Sequence, residues 1–473
     1  MHDTLLRDLV VLVAVSVPVV LAAHRLRIPS VVGFLLAGVA IGPSGLGLIG
    51  DPEAVRRLAE IGVVLLLFSV GLELSLTRVM GLGRLVIVGG AIQVIGTMAL
   101  VTAVFLVLGR EGRPALFLGA LLALSSTAIA LKVYTQRDEL ETPHGRAVVA
   151  ISVFQDLAVV PLMLLIPLLG AADASFAAGT RQVALSLAGA AALVVAGRML
   201  VPRALEHVVR TRNRELFTLA IVVIGLGAAW LASLFGLSLA LGAFLVGLVV
   251  SESEYGAQAL SDILPFRDVF SGIFFASVGM LLDLSTVAAA PLATLGFVGI
   301  VIVLKAAVAA GAVLAAGRPL QVAVASALGL AQVGEFSFVL AAAGLPLALV
   351  SARDYQLFLA ASVLSMLVAP FLIAQAGSFA EAVGRWFGYV PLAVHAEQRP
   401  HLESLSDHVI VVGYGLNGRN LARALRGAGI PYVILEQNMH AVRRARGEGE
   451  PILFGDGTHG EVLERIGIRR ARV

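Results

Sequence analysis

Cysteine is absent from the 473 residues, which excludes disulfides and thiolate metal sites. Charged residues are also scarce: they make up 14% of the chain, whereas soluble domains contain about 25%. Hydrophobic residues account for 59%, and the mean hydropathy is +0.95. These values exclude a soluble globular fold and predict a multi-pass protein of the lipid bilayer. The net charge of +3 rests on arginines in short loops, which does not indicate nucleic-acid binding.

Lysine is almost missing, since only Lys132 and Lys305 occur. Lys132 ends an apolar run, where its long stem reaches the membrane surface. Lys305 has no such exit, because it lies inside the apolar stretch 296–314. Two roles are open for a cation at that depth: pairing with the acid of an ion site, or neutralising a structural acid such as Glu335.

Long apolar runs predict the fold class, an α-helical polytopic membrane protein with about thirteen transmembrane helices. The first run, 5–23, is too long for a signal-peptide core, and we interpret it as a retained helix. The loops after odd-numbered runs carry more arginine, which predicts an outer N-terminus and a cytoplasmic C-terminus. The other runs lie at about 30–42, 54–76, 84–108, 114–132, 146–170, 181–201, 214–234, 237–251, 264–282, 291–316, 320–344 and 354–378.

The run 146–170 carries an amide and an acid side by side near its middle, Gln155 and Asp156. A carboxylate at that depth is costly, by at least ~2.5 kcal/mol, and marks a functional site. Burial penalises the charged form of a carboxylate, so a proton and a dehydrated monovalent cation would compete for Asp156. This pattern favours a transporter and not an enzyme. The alternative is a structural acid satisfied by a neighbouring helix.

Two other runs contain polar clusters that do not suit an unbroken helix. One holds Ser125, Ser126 and Thr127, and the other holds Gln332, Gly334 and Glu335. Hydroxyl groups satisfy freed backbone groups at membrane depth. Interrupted segments in two halves of a chain point to an ion site at the midplane. The alternative is that small polar residues serve as ordinary packing positions between helices.

The composition changes near Pro391, which divides the chain into a transmembrane domain (1–390), a polar linker (391–406) and a soluble unit (407–473). In the soluble unit, a strand at 409–412 runs into the glycine motif Gly413, Gly415 and Gly418. The glycines let the backbone approach phosphates, and a helix starting at Leu416 and Asn417 holds their charge.

A second strand of this unit ends in Glu436, about 20 residues on, where an acid binds ribose hydroxyls. A third strand ends in Asp456. This order of strand, glycine motif, helix, strand and acid predicts a partial α/β Rossmann-like nucleotide-binding domain, roughly half of a doubly wound fold. The alternative is a Rossmann-like fold that binds nothing.

Six stretches in order resemble the monovalent cation:proton antiporter-2 family, and within it the Kef-type potassium:proton antiporters: LLLFSVGLEL, LSSTAIAL, the Gln155-Asp156 helix, LALGAFLVGLVVSESEY, FFASVGMLLDL and AQVGEFSFVL. The tail is similar to the N-terminal half of an RCK (TrkA-N) domain. The resemblance implies inverted repeats with two crossed, broken helices, a dimerisation domain beside a core domain, elevator-like alternating access, and a homodimer in the bacterial inner membrane.

The same resemblance places the ion site at Asp156, with Gln155 and the Ser125–Thr127 break as neighbours and Lys305 as the core-domain lysine. It implies AMP or NAD(H) as a regulatory ligand of the tail. Kef proteins are gated by glutathione through an acidic loop after ESEY. Here that loop reads GAQALSDILPF and keeps Asp262 as its only acid, which argues against glutathione control.

We therefore expect exchange of a monovalent cation, K+ before Na+, for H+. An amide beside one acid carries a single charge in either direction, which predicts electroneutral exchange. A ligand-gated potassium channel is the rival function, although the chain contains no TVGYG-type filter. A nucleotide sensor with an inert membrane part is the third possibility.

Overall fold

The computed structural model describes residues 2–26, 28–73, 83, 85–137, 139–170, 176–386, 406–436, 439–455, 457 and 460–472. Its chain forms two compact units: residues 1–140 with 147–377, and residues 141–146 with 378–473. The predicted linker, except for its last residue, lies outside the described residues. The same is true of Asp456.

The first unit is built from helices. In chain order they are α1 (His2–Arg25), α2 (Ser30–Ile41), α3 (Pro52–Glu73), a π-helical turn (Leu85–Gly89) leading into α4 (Gly90–Val107), α5 (Gly112–Ala123), α6 (Thr127–Gln136), α7 (Pro143–Gly170), α8 (Phe176–Arg210), α9 (Arg214–Leu234), α10 (Leu239–Ser251), α11 (Gly256–Met280), a short α12 (Leu284–Ala289), α13 (Pro291–Ala315), α14 (Leu320–Gly329), α15 (Phe336–Gly344) and α16 (Ala352–Trp386).

By length and composition, nine helices of the described chain suffice to cross a membrane, counting α5 and α6 as one. Together with α2, α3, α10 and the pair α14 and α15, they account for the predicted spans. Helix α3 is less apolar because its first turns carry four charged side chains: Glu53, Arg56, Arg57 and Glu60. The predicted helical, polytopic fold class is confirmed.

The membrane helices pack as two groups. The panel group contains α2, α3, α10 and α11 with α1, α8 and α9 around them, and the core group contains α4, α5, α13, α14 and α15. Within each group the helices contact one another far more than they contact the other group. This division allows a cleft to exist between the groups.

Both predicted helix breaks are present. Helix α5 ends at Ala123 before α6 begins at Thr127, and α14 ends at Gly329 before α15 begins at Phe336. The two breaks touch, because the Gly334 N–H donates to the Leu124 carbonyl at 3.0 Å. A Cβ atom at position 334 would lie 2.7 Å from the Ser125 backbone, so only glycine allows this approach.

The second unit holds a three-stranded parallel sheet in the order β1-β2-β3: Val409–Val412, Tyr432–Glu436 and Ile452–Phe454. Helices α17 (Leu416–Gly427), α18 (Met439–Gly447) and α19 (Gly460–Arg465) connect or follow the strands. The register pairs Val409 with Tyr432 and Ile434 with Ile452. The Arg472 N–H donates to the His408 carbonyl at 2.8 Å, beside the start of β1. This arrangement extends the sheet toward the 3-2-1-4 strand order of nucleotide-binding folds.

Substituting alanine for Gly334 is expected to separate the two breaks, because the new methyl group meets backbone atoms that cannot move aside. We expect a loss of about 1–3 kcal/mol in stability, measured as a lower Tm of the purified protein in detergent. Gly299→Ala, at an open position of α13 with no atom within 4 Å of its Cβ, is the matched control and leaves Tm unchanged. Equal Tm values for the two variants would contradict the contact.

Candidate ion-binding site

Asp156 lies on α7, opposite the first residue of α6. The Thr127 hydroxyl donates to Asp156 Oδ1 at 3.0 Å. Both side chains line an open cavity of about 670 Å³, which is also lined by residues of α2, α3 and α11 of the panel group and by the start of α15 of the core group. Asp156 is half-buried, so its carboxylate is held by a hydroxyl group and still faces the cavity. This geometry suits reversible binding of a small cation or a proton.

Gln155 points into the helix break instead of the cavity. Its Oε1 accepts from the Ser125 N–H at 3.0 Å, and its Nε2 donates to Gln93 Oε1 at 2.6 Å. Successive helix residues point about 100° apart. Gln155 and Asp156 therefore contact different parts of the protein although they are neighbours in sequence. The structure therefore places Gln155 as a support of the break, and not as a group facing the cavity.

Gln93 on α4 completes this support and was missed by the sequence analysis. Its Nε2 donates to the Ala123 carbonyl at 3.1 Å, where α5 ends, and also approaches Thr97 Oγ1 at 3.3 Å. Gln93 is fully buried. The available signal was its position as the one amide in the apolar run 84–108.

The two serines of the predicted site also serve the backbone. The Ser125 hydroxyl donates to the Leu330 carbonyl at 2.8 Å, and the Ser126 hydroxyl caps α6 by accepting from the Ile129 N–H at 3.2 Å. Both are buried away from the cavity. Of the three break residues predicted as ion ligands, the structure brings Thr127 alone into contact with Asp156.

Lys305 is fully buried and holds the end of a half-helix. Its Nζ donates to the Leu122 carbonyl at 2.6 Å and to the Leu124 carbonyl at 3.0 Å. Cations stabilise helix C-termini because the carbonyls there are partly negative and lack intrahelical partners. In the described part of the chain neither predicted acid, Asp156 or Glu335, accepts from Lys305. The structure thus shows a third arrangement, in which backbone carbonyls replace a carboxylate.

Three charged side chains stand at the mouth of the cavity: Glu73, Arg267 and Asp268. Arg267 joins the two acids, at 2.9 Å from Glu73 and 3.0 Å from Asp268. Glu335 is buried and lines the same cavity as Thr127. The cavity therefore connects exposed charges to the buried end of α6.

In the second unit the glycine motif has the predicted form. Gly413 ends β1 with φ +92°, and α17 begins at Leu416 after Gly415. Gly418 packs against the Gly413 carbonyl so closely that no Cβ fits there. Glu436, at the end of β2, accepts from the Tyr414 N–H at 2.5 Å. The acid, the loop and the free helix N-terminus that includes Asn417 therefore meet at one edge of the sheet.

Replacing Lys305 with leucine is expected to lower stability, because two carbonyls at a buried helix end lose a charged donor. Hydrogen bonds to charged groups contribute about 1.5–3 kcal/mol, which predicts a lower Tm in detergent. Lys132→Leu, the other lysine, is the matched control and leaves Tm unchanged. A Lys305→Leu protein as stable as the control would show that the capping contact contributes nothing.

Comparison with known proteins identifies both parts of the chain. Residues 11–376 match the transmembrane sodium/hydrogen exchanger family, and residues 409–473 match the TrkA-N domain. A KefB-type protein of Alkalimonas amylolytica is 35% identical over 100% of this chain and 72% of its own length. The glutathione-regulated potassium-efflux system protein KefC of Salmonella paratyphi B is 36% identical over 99% of this chain and 74% of its own length.

A plant relative and a solved structure extend the comparison. The chloroplastic K(+) efflux antiporter 1 of Arabidopsis thaliana is 35% identical over 93% of this chain, which spans 37% of the plant protein. The sodium proton antiporter MjNhaP1 of Methanocaldococcus jannaschii has a TM-score of 0.61 at 18% identity, over 80% of this chain and 98% of that one. This likeness concerns the fold. The chain belongs to the sodium/hydrogen exchanger family and carries a TrkA-N domain C-terminal to the family's transmembrane region.

Proposed function

We propose that the protein exchanges a monovalent cation, K+ before Na+, for H+ by alternating access at Asp156. The observation that carries this proposal is a carboxylate at a helix break that is held by one hydroxyl and faces an open cavity. The names of the bacterial and plant relatives, which describe potassium efflux, favour K+.

In the proposed cycle Asp156 alternates between two partners. When the cavity faces one side of the membrane, the carboxylate releases its proton and binds a dehydrated cation, with the Thr127 hydroxyl oxygen as a neighbouring ligand. When the site faces the other side, a proton displaces the cation. Because each partner carries one positive charge, exchange at the site is electroneutral.

Gln155, Ser125, Ser126 and Lys305 act as positioning residues in this proposal. They supply donors or acceptors to the backbone groups that the break leaves free. Unpaired backbone groups inside a membrane cost several kcal/mol each. These side chains therefore keep α6 at the position from which Thr127 reaches Asp156.

The membrane orientation and the assembly are part of the same proposal. With an outer N-terminus, the end of α3 at Glu73 and the start of α2 at Ser30 lie at the cytoplasmic side, so the cavity they line opens to the cytoplasm. We place the protein as a homodimer in the bacterial inner membrane, with its second unit in the cytoplasm.

The test is cation-driven proton movement in proteoliposomes, comparing wild type with Asp156→Asn while K+ and Na+ are added in turn. Wild type should respond to K+, and the variant should lose the response because a neutral amide cannot release a proton. Asp268→Asn, which removes an acid that is 68% exposed at the cavity mouth, is the matched control and keeps the response.

A folded Asp156→Asn protein with the wild-type response would refute the proposal. An imposed membrane potential should leave the initial wild-type rate unchanged. A several-fold change would show that more than one charge moves per cycle.

We further propose that an adenine nucleotide, AMP or NAD(H), binds the second unit and regulates transport. Gly413 and Gly415 leave room beside the loop, since a Cβ at either position meets no atom within 4 Å, and Gly418 lets α17 pack closely against the loop. The N–H groups of Leu416 and Asn417 would hold phosphate oxygens at the start of α17. Glu436, and Asp456 beyond the described residues, would accept from ribose hydroxyls.

Gly415→Val tests this fit, because the added side chain fills the open loop without a clash in the protein itself. We expect calorimetric binding of AMP or NADH to the full chain to be lost while Tm stays unchanged. Gly447→Val, at an open position at the end of α18, is the matched control and retains binding. Equal nucleotide affinity in both variants would place the ligand elsewhere or exclude it.

A further inference from the structure

Glu335 is a buried acid for which the exchange cycle above has no role. It is 6% exposed, and its Oε2 has no hydrogen-bond partner among the described residues. A buried carboxylate oxygen without a partner is unfavourable unless something binds it. Glu335 also lines the cavity that Asp156 and Thr127 line.

The position of Glu335 brings it to the same helix end as Asp156. Glu335 directly precedes α15, and its carboxylate lies near the Ser126 hydroxyl and the Ala128 N–H, in the first turn of α6. Asp156 is held at the same turn by the Thr127 hydroxyl, and both carboxylates line one cavity. Asp156 on α7 and Glu335 before α15 therefore both lie near the first turn of the half-helix α6.

We propose that Glu335 is the second carboxylate of the ion site, a direct ligand of the dehydrated cation that shares a proton with Asp156 when the cation is absent. This inference rests on the exchange function proposed above and adds a residue to it. Glu335 thereby joins Asp156 and the Thr127 hydroxyl as a side-chain ligand, whereas the amide of Gln155 is occupied by the helix break.

The charge balance of the pair is simple. Two close carboxylates in a site of low dielectric constant do not both ionise without a counter-charge, and they titrate as a unit. In the proton-loaded state the pair holds one proton. In the cation-loaded state the proton has left to water and one cation stands in its place. The pair carries one net negative charge in both states, so exchange stays electroneutral.

The charged side chains around the two carboxylates do not supply their counter-charge, so the transported cation supplies it. From α3, Glu73 faces the cavity, and from α11, Arg267 and Asp268 do so. Arg267 is bound to those two acids at the mouth. Lys305 on α13 is bound to the carbonyls of α5. Among the described residues, each nearby cation is thus engaged elsewhere.

The experiment measures K+-driven proton movement in proteoliposomes as a function of K+ concentration and pH. Glu335→Gln keeps the size of the side chain and removes its charge. We expect the apparent KM for K+ to rise by about tenfold or more, equivalent to ~1.4 kcal/mol. We also expect activity to extend to lower pH, because Asp156 then ionises without a like charge beside it. Glu215→Gln, an exposed glutamate in the first turn of α9 and outside the cavity lining, is the matched control and changes neither value.

Glu335→Asp supplies the second variant. It keeps a carboxylate but withdraws it by one methylene group, and we expect a KM between those of wild type and Glu335→Gln. A wild-type KM and pH profile in Glu335→Gln overturns the inference. If Glu335→Gln fails to fold, a wild-type KM and pH profile in Glu335→Asp overturns it instead. Asp156→Asn separates the two proposals: if it is inactive while Glu335→Gln behaves as wild type, the antiporter stands and the second ligand falls. If Asp156→Asn is active, the exchange proposal itself fails.

Discussion

The contact between the two helix breaks is the constraint on which the rest of the membrane unit depends. Ending four half-helices inside a bilayer frees backbone groups that no water satisfies. The Gly334 N–H and the Leu124 carbonyl satisfy one another, and side chains from four further helices, α4, α7, α13 and α16, pair with other freed groups. The proposed ion site depends on these contacts, because they hold the start of α6 where Thr127 faces the cavity.

Gln155 and Asp156 have different contacts because successive residues of a helix point in different directions. On α7, Gln155 turns to the break and Asp156 turns to the cavity, although they are consecutive. The first supports the helix break, and the second is the proposed ion ligand. At the end of α5, the Lys305 ammonium donates to two carbonyls that have no N–H partner within the helix.

Local patterns in the sequence predicted much of this structure. The hydroxyl cluster at Ser125 and the Gln332–Glu335 segment indicated both breaks, since polar residues interrupt apolar runs there. The glycine motif indicated the parallel sheet of the second unit. Asp156 stood out because its run contains no other acid.

Pairings across the chain were not predictable in the same way. Gln93 acts on Gln155, 62 positions away, and Lys305 acts on carbonyls 181 and 183 positions away. Backbone carbonyls carry no sequence signal, so the partner of Lys305 was sought among acids. Among the described residues, the lack of a partner for Glu335 Oε2 is likewise a property of packing that no local pattern encodes.

The charged side chains at the mouth of the cavity affect how ions approach it. Glu73 and Asp268 outnumber Arg267 by one negative charge, and all three are open to solvent. Long-range attraction by such exposed charges is screened over about 8 Å at physiological ionic strength. Capture of a cation from solution therefore weakens as salt rises. In the proposed exchange, retention of the cation at the half-buried Asp156 is screened less by salt than its capture is.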